Sequence, residues 1–169
     1  MPPDASIALI FAFVLPISAL IHELGHAALP LIATKNHVVI GLGAPSKHRI
    51  FTVSFGRLKV EMTPLFFWSG FCAFGPLKPN HLLVALLAGP LISLAALLIS
   101  GVLYGQAVAG GQRMVWQACM TVFFVQFMIT ALPITYPNWF DARADSSSDG
   151  KQILGLLKER RRERGRLRM

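Results

Sequence analysis

Five residues near the start of the chain bring together the side-chain types of a hydrolytic metal site: His22-Glu23-Leu24-Gly25-His26. On a helix, residues four apart stand one turn above each other on one face, so His22 and His26 can offer two imidazoles to a single Zn²⁺. Glu23 falls about 100° around the helix, beside such an ion rather than on it. A carboxylate placed there can serve as general base toward water. Gly25 leaves room for a neighbouring backbone or for substrate. The motif lies inside an apolar block, about 5–33, that only these three ionisable residues interrupt. Each such group costs roughly 2.5–3.5 kcal/mol on membrane-insertion scales, so three within five residues require compensation, and a bound cation is the simplest form of it.

A zinc site that hydrolyses needs three protein ligands and one open position. The chain has only eight acidic residues, so the third ligand can be sought by elimination. Asp4 is about five helical turns from His22. Glu61 falls among strand-forming residues, and Glu159 and Glu163 stand among arginines. Asp141, Asp145 and Asp149 remain, all in the polar stretch after the last apolar block. Asp149 has a second reading, because Ser-Ser-Ser-Asp-Gly ahead of an amphipathic segment is also a helix N-cap signal. His37, His48 and His81 are isolated and suit surface or interfacial roles. Cys72 and Cys119 lack the spacing of a zinc knuckle or redox pair and read as small buried hydrophobes.

The elements that must position these groups are those of a membrane protein. Hydrophobic residues make up 54% of the 169 and charged residues 14%, well below the usual quarter for soluble domains. The apolar residues gather into spans at about 5–33, 81–104 and 114–132. A cleaved signal peptide is a poor account of the first, since only Met-Pro-Pro-Asp precedes it and no basic n-region is present. Between the first two spans, a strand-rich insertion at 37–62 carries Val38-Val39-Ile40, Ile50–Phe55 and Leu58-Lys59-Val60, divided by Gly41–Pro45 and Gly56-Arg57. Its lysines and arginines place it in water. Pro64 to Pro79, aromatic and glycine-rich, suits an interfacial or re-entrant segment. A last helix is expected from Lys151, with Ile153, Leu154, Leu156 and Leu157 on one face.

The formal charge of +8 is not a nucleic-acid signal. Seven basic and two acidic residues between Lys158 and Arg168 supply +5 of it, next to a membrane core. Such a tail marks the cytoplasmic side and suits anionic lipid. With the basic insertion, it orients the three spans with the N-terminus outside and the C-terminus in the cytoplasm. The expected fold class is an all-α integral membrane protein with three core transmembrane helices, a small cytoplasmic β-strand insertion and a C-terminal amphipathic basic helix. The core covers 1–157 and the tail 158–169. The chain's size and simplicity suggest a bacterial plasma membrane.

Taken together, the histidine motif, Ser148-Asp149-Gly150-Lys151-Gln152-Ile153-Leu154 and Ala88-Gly89-Pro90 resemble the site-2 protease family of intramembrane zinc metalloproteases (peptidase family M50). The likeness spans the three-helix core and suggests a minimal member. It implies Asp149 as third zinc ligand, with Asp145 and Asp141 in reserve, Glu23 as catalytic base, and cleavage of a membrane protein substrate within or beside its transmembrane segment. An edge of the small sheet would then pair with the unwound substrate. Where the family often has Asn-x-x-Pro, this chain has Thr130-Ala131-Leu132-Pro133. That departure also fits a zinc-binding membrane pseudoprotease or assembly factor without turnover.

Overall fold

The computed structural model describes residues 3–44, 48–64, 68–137 and 147–166. It is mostly helical, with one small sheet. Three helices are long and apolar enough to cross a membrane: α1 (Pro3–Ala33), α2 (Pro79–Gln106) and α3 (Gly110–Ala131). A fourth, α4 (Asp149–Arg166), carries the basic sequence. α2 packs extensively on both α1 and α3, whereas α1 and α3 touch less. Phe13, Leu98, Val102 and Phe124 remain exposed on the three long helices. A lipid environment accounts for such side chains, which water would not.

The insertion is larger than its sequence suggests. β1 (Val38–Leu42), β2 (Phe51–Phe55) and β3 (Leu58–Met62) are joined by β4 (Gly70–Phe74), in the order β2-β3-β1-β4. β4 pairs antiparallel with β1, so this part of 64–79, read from the sequence as interfacial or re-entrant, is a strand of the sheet. Gly41 and Leu42, expected in a turn, continue β1. Their pairing with β4 explains this: Gly41 lies opposite Phe71, and a Cβ on Gly41 would sit 2.1 Å from the Phe71 ring. The ring covers the bare backbone that made Gly41 look like a strand breaker. β2 and β3 form the expected hairpin, with Gly56 at φ +59° in the tight turn.

Only β2 is exposed along its whole length. β1 is largely buried, and Val38, Ile40, Leu42 and Val60 form a core with Ala19 and Ala27 of α1. The sheet is therefore seated on the helix that carries the histidines. Arg57 fastens it there, donating to the carbonyls of Thr34 and Leu31 (2.7 Å for Leu31) at the end of α1. Those carbonyls have no partner within the helix, and a cation suits the negative end of its dipole.

Candidate metal centre

His22 and His26 point from α1 toward α2, and α2 fixes both rings. His26 Nδ1 donates to the Ala85 carbonyl at 2.7 Å. A carbonyl can only accept, so a neutral His26 ring leaves Nε2 as a lone pair. His22 Nδ1 lies 2.9 Å from the Ser93 hydroxyl, the same outer support for the second ring. The helices can come this close because α2 is bare where the motif meets it. A Cβ on Gly89 would lie 2.3 Å from His26 Nε2, and one on Gly25 would lie 2.8 Å from the Ala88 carbonyl oxygen. Gly25 thus makes room for a backbone. Ala88-Gly89-Pro90 holds its place through the missing side chain of its middle residue.

The third group arrives from the far end of the chain. Asp149 Oδ2 is 3.2 Å from His22 Nε2 and 3.3 Å from His26 Nε2, and the two nitrogens are 3.1 Å apart. The cap signal at 146–150 belongs to Ser148, not Asp149. Ser148 is buried, accepts from Lys151 N at 3.2 Å and Ile134 N at 3.1 Å, and donates to Leu132 O at 2.5 Å. Asp149 is the first helical residue, and its carboxylate is free to turn to the histidines. The long interval after Pro133 does not displace it. Thr135 bridges to Ser147, and Ser148 N donates to Ile134 O, so the chain leaves and re-enters at one place. Gly150 then packs against α3, where a Cβ would lie 2.0 Å from the Ala131 carbonyl oxygen.

These three side chains form a group able to hold a metal ion. At ~2.0–2.1 Å bonds in tetrahedral geometry, neighbouring ligand atoms stand about 3.3 Å apart, close to the spacing here. With both rings donating through Nδ1, the three atoms present lone pairs to one point, and two imidazoles with a carboxylate are a donor set that fits zinc. Two imidazoles and one carboxylate leave a position open. Glu23 is buried beside the cluster, on the wall of the same cleft. Gly70, the first residue of β4, passes directly over it: a Cβ there would lie 2.8 Å from Glu23 Oε1.

The cleft encloses about 800 Å³ and reaches from the cluster along β4, past Phe71 and Cys72, to Val125 and Gln126 of α3. Burial, with the Glu23 charge second, pushes the Cys72 thiol up to about 12, and Cys72 is not part of the ligand group. Glu61 is engaged elsewhere, 2.6 Å from Lys59 Nζ and 2.9 Å from Arg49 Nε. The Lys59 hydrogen bond above all holds its carboxyl below the usual carboxylate range. Glu159 and Glu163 are exposed on α4, and His37, His48 and His81 take no part in the cluster. Asp141 and Asp145 lie outside the described residues. Sequence reasoning found His22, Glu23, His26 and Asp149. It missed Ser93, the Ala85 carbonyl and Gly70, which carry no motif of their own.

No family model matches this chain, and no curated protein does.

Proposed function

We propose that this protein is an intramembrane zinc metalloprotease of the site-2 protease type, which hydrolyses peptide bonds within or beside the transmembrane segments of membrane protein substrates. One observation carries the reading. The Asp149 carboxylate meets the Nε2 atoms of both His26 and His22, the latter 127 residues away along the chain, with Glu23 buried on the wall of the same cleft. A bound zinc ion, held by His22, His26 and Asp149, supplies Lewis-acid activation of water and of the scissile carbonyl. Glu23 accepts the proton of the attacking water and delivers it to the leaving amine. The Ala85 carbonyl keeps His26 in the tautomer that ligates, and the Ser93 hydroxyl supports His22 at Nδ1. The apolar walls of the cleft limit bulk water.

A helical substrate must unwind to expose a carbonyl. β4 is bonded to β1 on one side, has no strand on the other among the described residues, and lines the cleft. It supports an extended substrate by strand addition, next to Glu23. The orientation is N-terminus outside and C-terminus cytoplasmic, in a bacterial plasma membrane.

A second reading, zinc binding without turnover, is favoured by one feature. Where the related motif carries asparagine, the Thr130 hydroxyl turns back to the carbonyls of Gln126 and Phe127 in its own helix. The decisive experiment compares purified wild type with Glu23→Gln on a model transmembrane substrate, with zinc content measured in both. Cleavage by wild type, a loss of at least about 10²-fold in the variant and equal zinc support the protease. Zinc in both proteins with cleavage by neither establishes the second reading, and equal cleavage by both rejects the role given to Glu23.

A further inference from the structure

The helix that begins with Asp149 presents two faces. Asp149, Ile153, Leu156 and Arg160, spaced four, three and four apart, form its half-buried stripe, and α4 packs on α2 and, less, on α3. Beside that stripe, Leu154 and Leu157 are 43% and 38% exposed. At about 100° per residue these leucines lie about 60° apart, and Arg161 and Arg164 fall within or at the edge of their arc. Lys158 and Arg162 follow on one flank. Glu159 and Glu163 fall on roughly the opposite side of the helix, so the charge is sorted: every acidic residue of α4 after Asp149 turns away from the exposed leucines. Arginines bordering an exposed apolar stripe are the pattern of a helix lying in a membrane interface, and soluble polyanions would leave the leucines uncovered.

Arg160 stands apart from these arginines, on the half-buried stripe about 90° from the middle of the leucine arc. Arg160 Nη2 is buried and has no hydrogen-bond partner among the described residues. That nitrogen is turned into the protein and out of a headgroup's reach, whereas Arg161 and Arg164 are exposed beside the leucines and can meet the paired oxygens of a phosphodiester. The nine residues from Asp149 to Lys158 span about 13 Å of helix, and the eleven from His22 to Ala33 about 16 Å. The cationic turns thus begin about as far from the ligand cluster as the end of the first apolar span does.

We propose that anionic phospholipid headgroups hold α4 through Arg161 and Arg164, and that this contact keeps Asp149 on the histidines. Ligand and lipid contact belong to one continuous helix, so the membrane surface bears on the completeness of the metal shell. The inference rests on the zinc reading of the site and not on proteolysis.

The test uses the full chain in nanodiscs of phosphatidylcholine alone, or with phosphatidylglycerol replacing part of it. Two quantities are read: zinc affinity by chelator competition, and trypsin cleavage after Lys158. Phosphatidylglycerol is expected to tighten zinc binding about tenfold and to slow cleavage at Lys158. Arg161→Gln/Arg164→Gln should lose both effects and the corresponding lysine variant should keep them, circular dichroism reporting the helix content of each. Equal zinc affinity in the two bilayers overturns the proposal. So does an undiminished gain in the glutamine variant, or its reproduction in phosphatidylcholine discs by inorganic phosphate. Failure of the underlying reading looks different: zinc retained in neither bilayer, with Lys158 still protected by phosphatidylglycerol, removes the metal centre and the coupling with it. Lipid-dependent zinc binding without peptide cleavage removes only proteolysis.

Discussion

His26 is held on three sides: by the Ala85 carbonyl, by Asp149 and by the bare backbone at Gly89. The last is the least forgiving. A methyl group 2.3 Å from Nε2 is nearer than real Cβ contacts allow, so Gly89→Ala must move either the ring or α2. Zinc retention against a chelator is expected to fall by at least about tenfold. Gly101→Ala on the same helix meets only Met120 Cε, at 4.0 Å, and should leave retention unchanged. The difference between the two separates damage to the site from damage to α2. At this scale, His22, Glu23 and His26 were legible in the sequence because helical spacing is local information. Ser93 and Gly89 were not, since what they touch depends on how α2 docks. A serine in an apolar helix has many roles, and only the neighbour turns it into support for a ligand.

Among the elements, α4 depends most on a single side chain. Ser148 ties its start to Leu132 and Ile134 and accepts the Lys151 amide. Ser148→Ala removes a cap and strands buried partners, at a cost of about 1–2 kcal/mol. The expected result is a lower melting temperature in detergent with excess zinc, and weaker zinc binding because Asp149 is the next residue. An unchanged zinc affinity would mean that α4 is positioned by its packing alone. The cap signal could be read from sequence, but its register could not: Ser148 and Asp149 both cap well, and only the carboxylate's distant partners separate them. β4 makes the same point for sheets. Its Gly-Phe-Cys-Ala-Phe carries no alternation of apolar and polar residues, and it becomes a strand only because β1 lies beside it. If its outer edge receives substrate, Cys72→Pro, at a position whose N–H faces away from β1, should abolish cleavage while zinc stays bound, and Thr52→Pro in the exposed β2 should matter far less. Equal cleavage in wild type and Cys72→Pro would exclude β4 as the docking edge.

For the whole molecule, the number of spans was legible because apolar length is a composition signal that needs no tertiary knowledge. The orientation is a matter of charge, and it can be measured. With Cys72 and Cys119 replaced, a single cysteine at Gly111, in the first turn of α3, should react with an impermeant maleimide in intact cells. One at Ser54 on β2 should react only after the membrane is opened. The reverse pattern would turn the molecule over.

The 127 residues between His22 and Asp149 also set an order of events in time. A ribosome delivers the two histidines and Glu23 to the membrane first, then the sheet and two further spans, and only then α4. Until that helix docks, α1 carries a base and two ligands but no complete shell. On the proteolytic reading proposed above, the protein is thereby inert while it is itself a chain of half-inserted membrane helices. Its neighbours at the insertion site, and its own later spans, are out of danger during the interval when they are least folded.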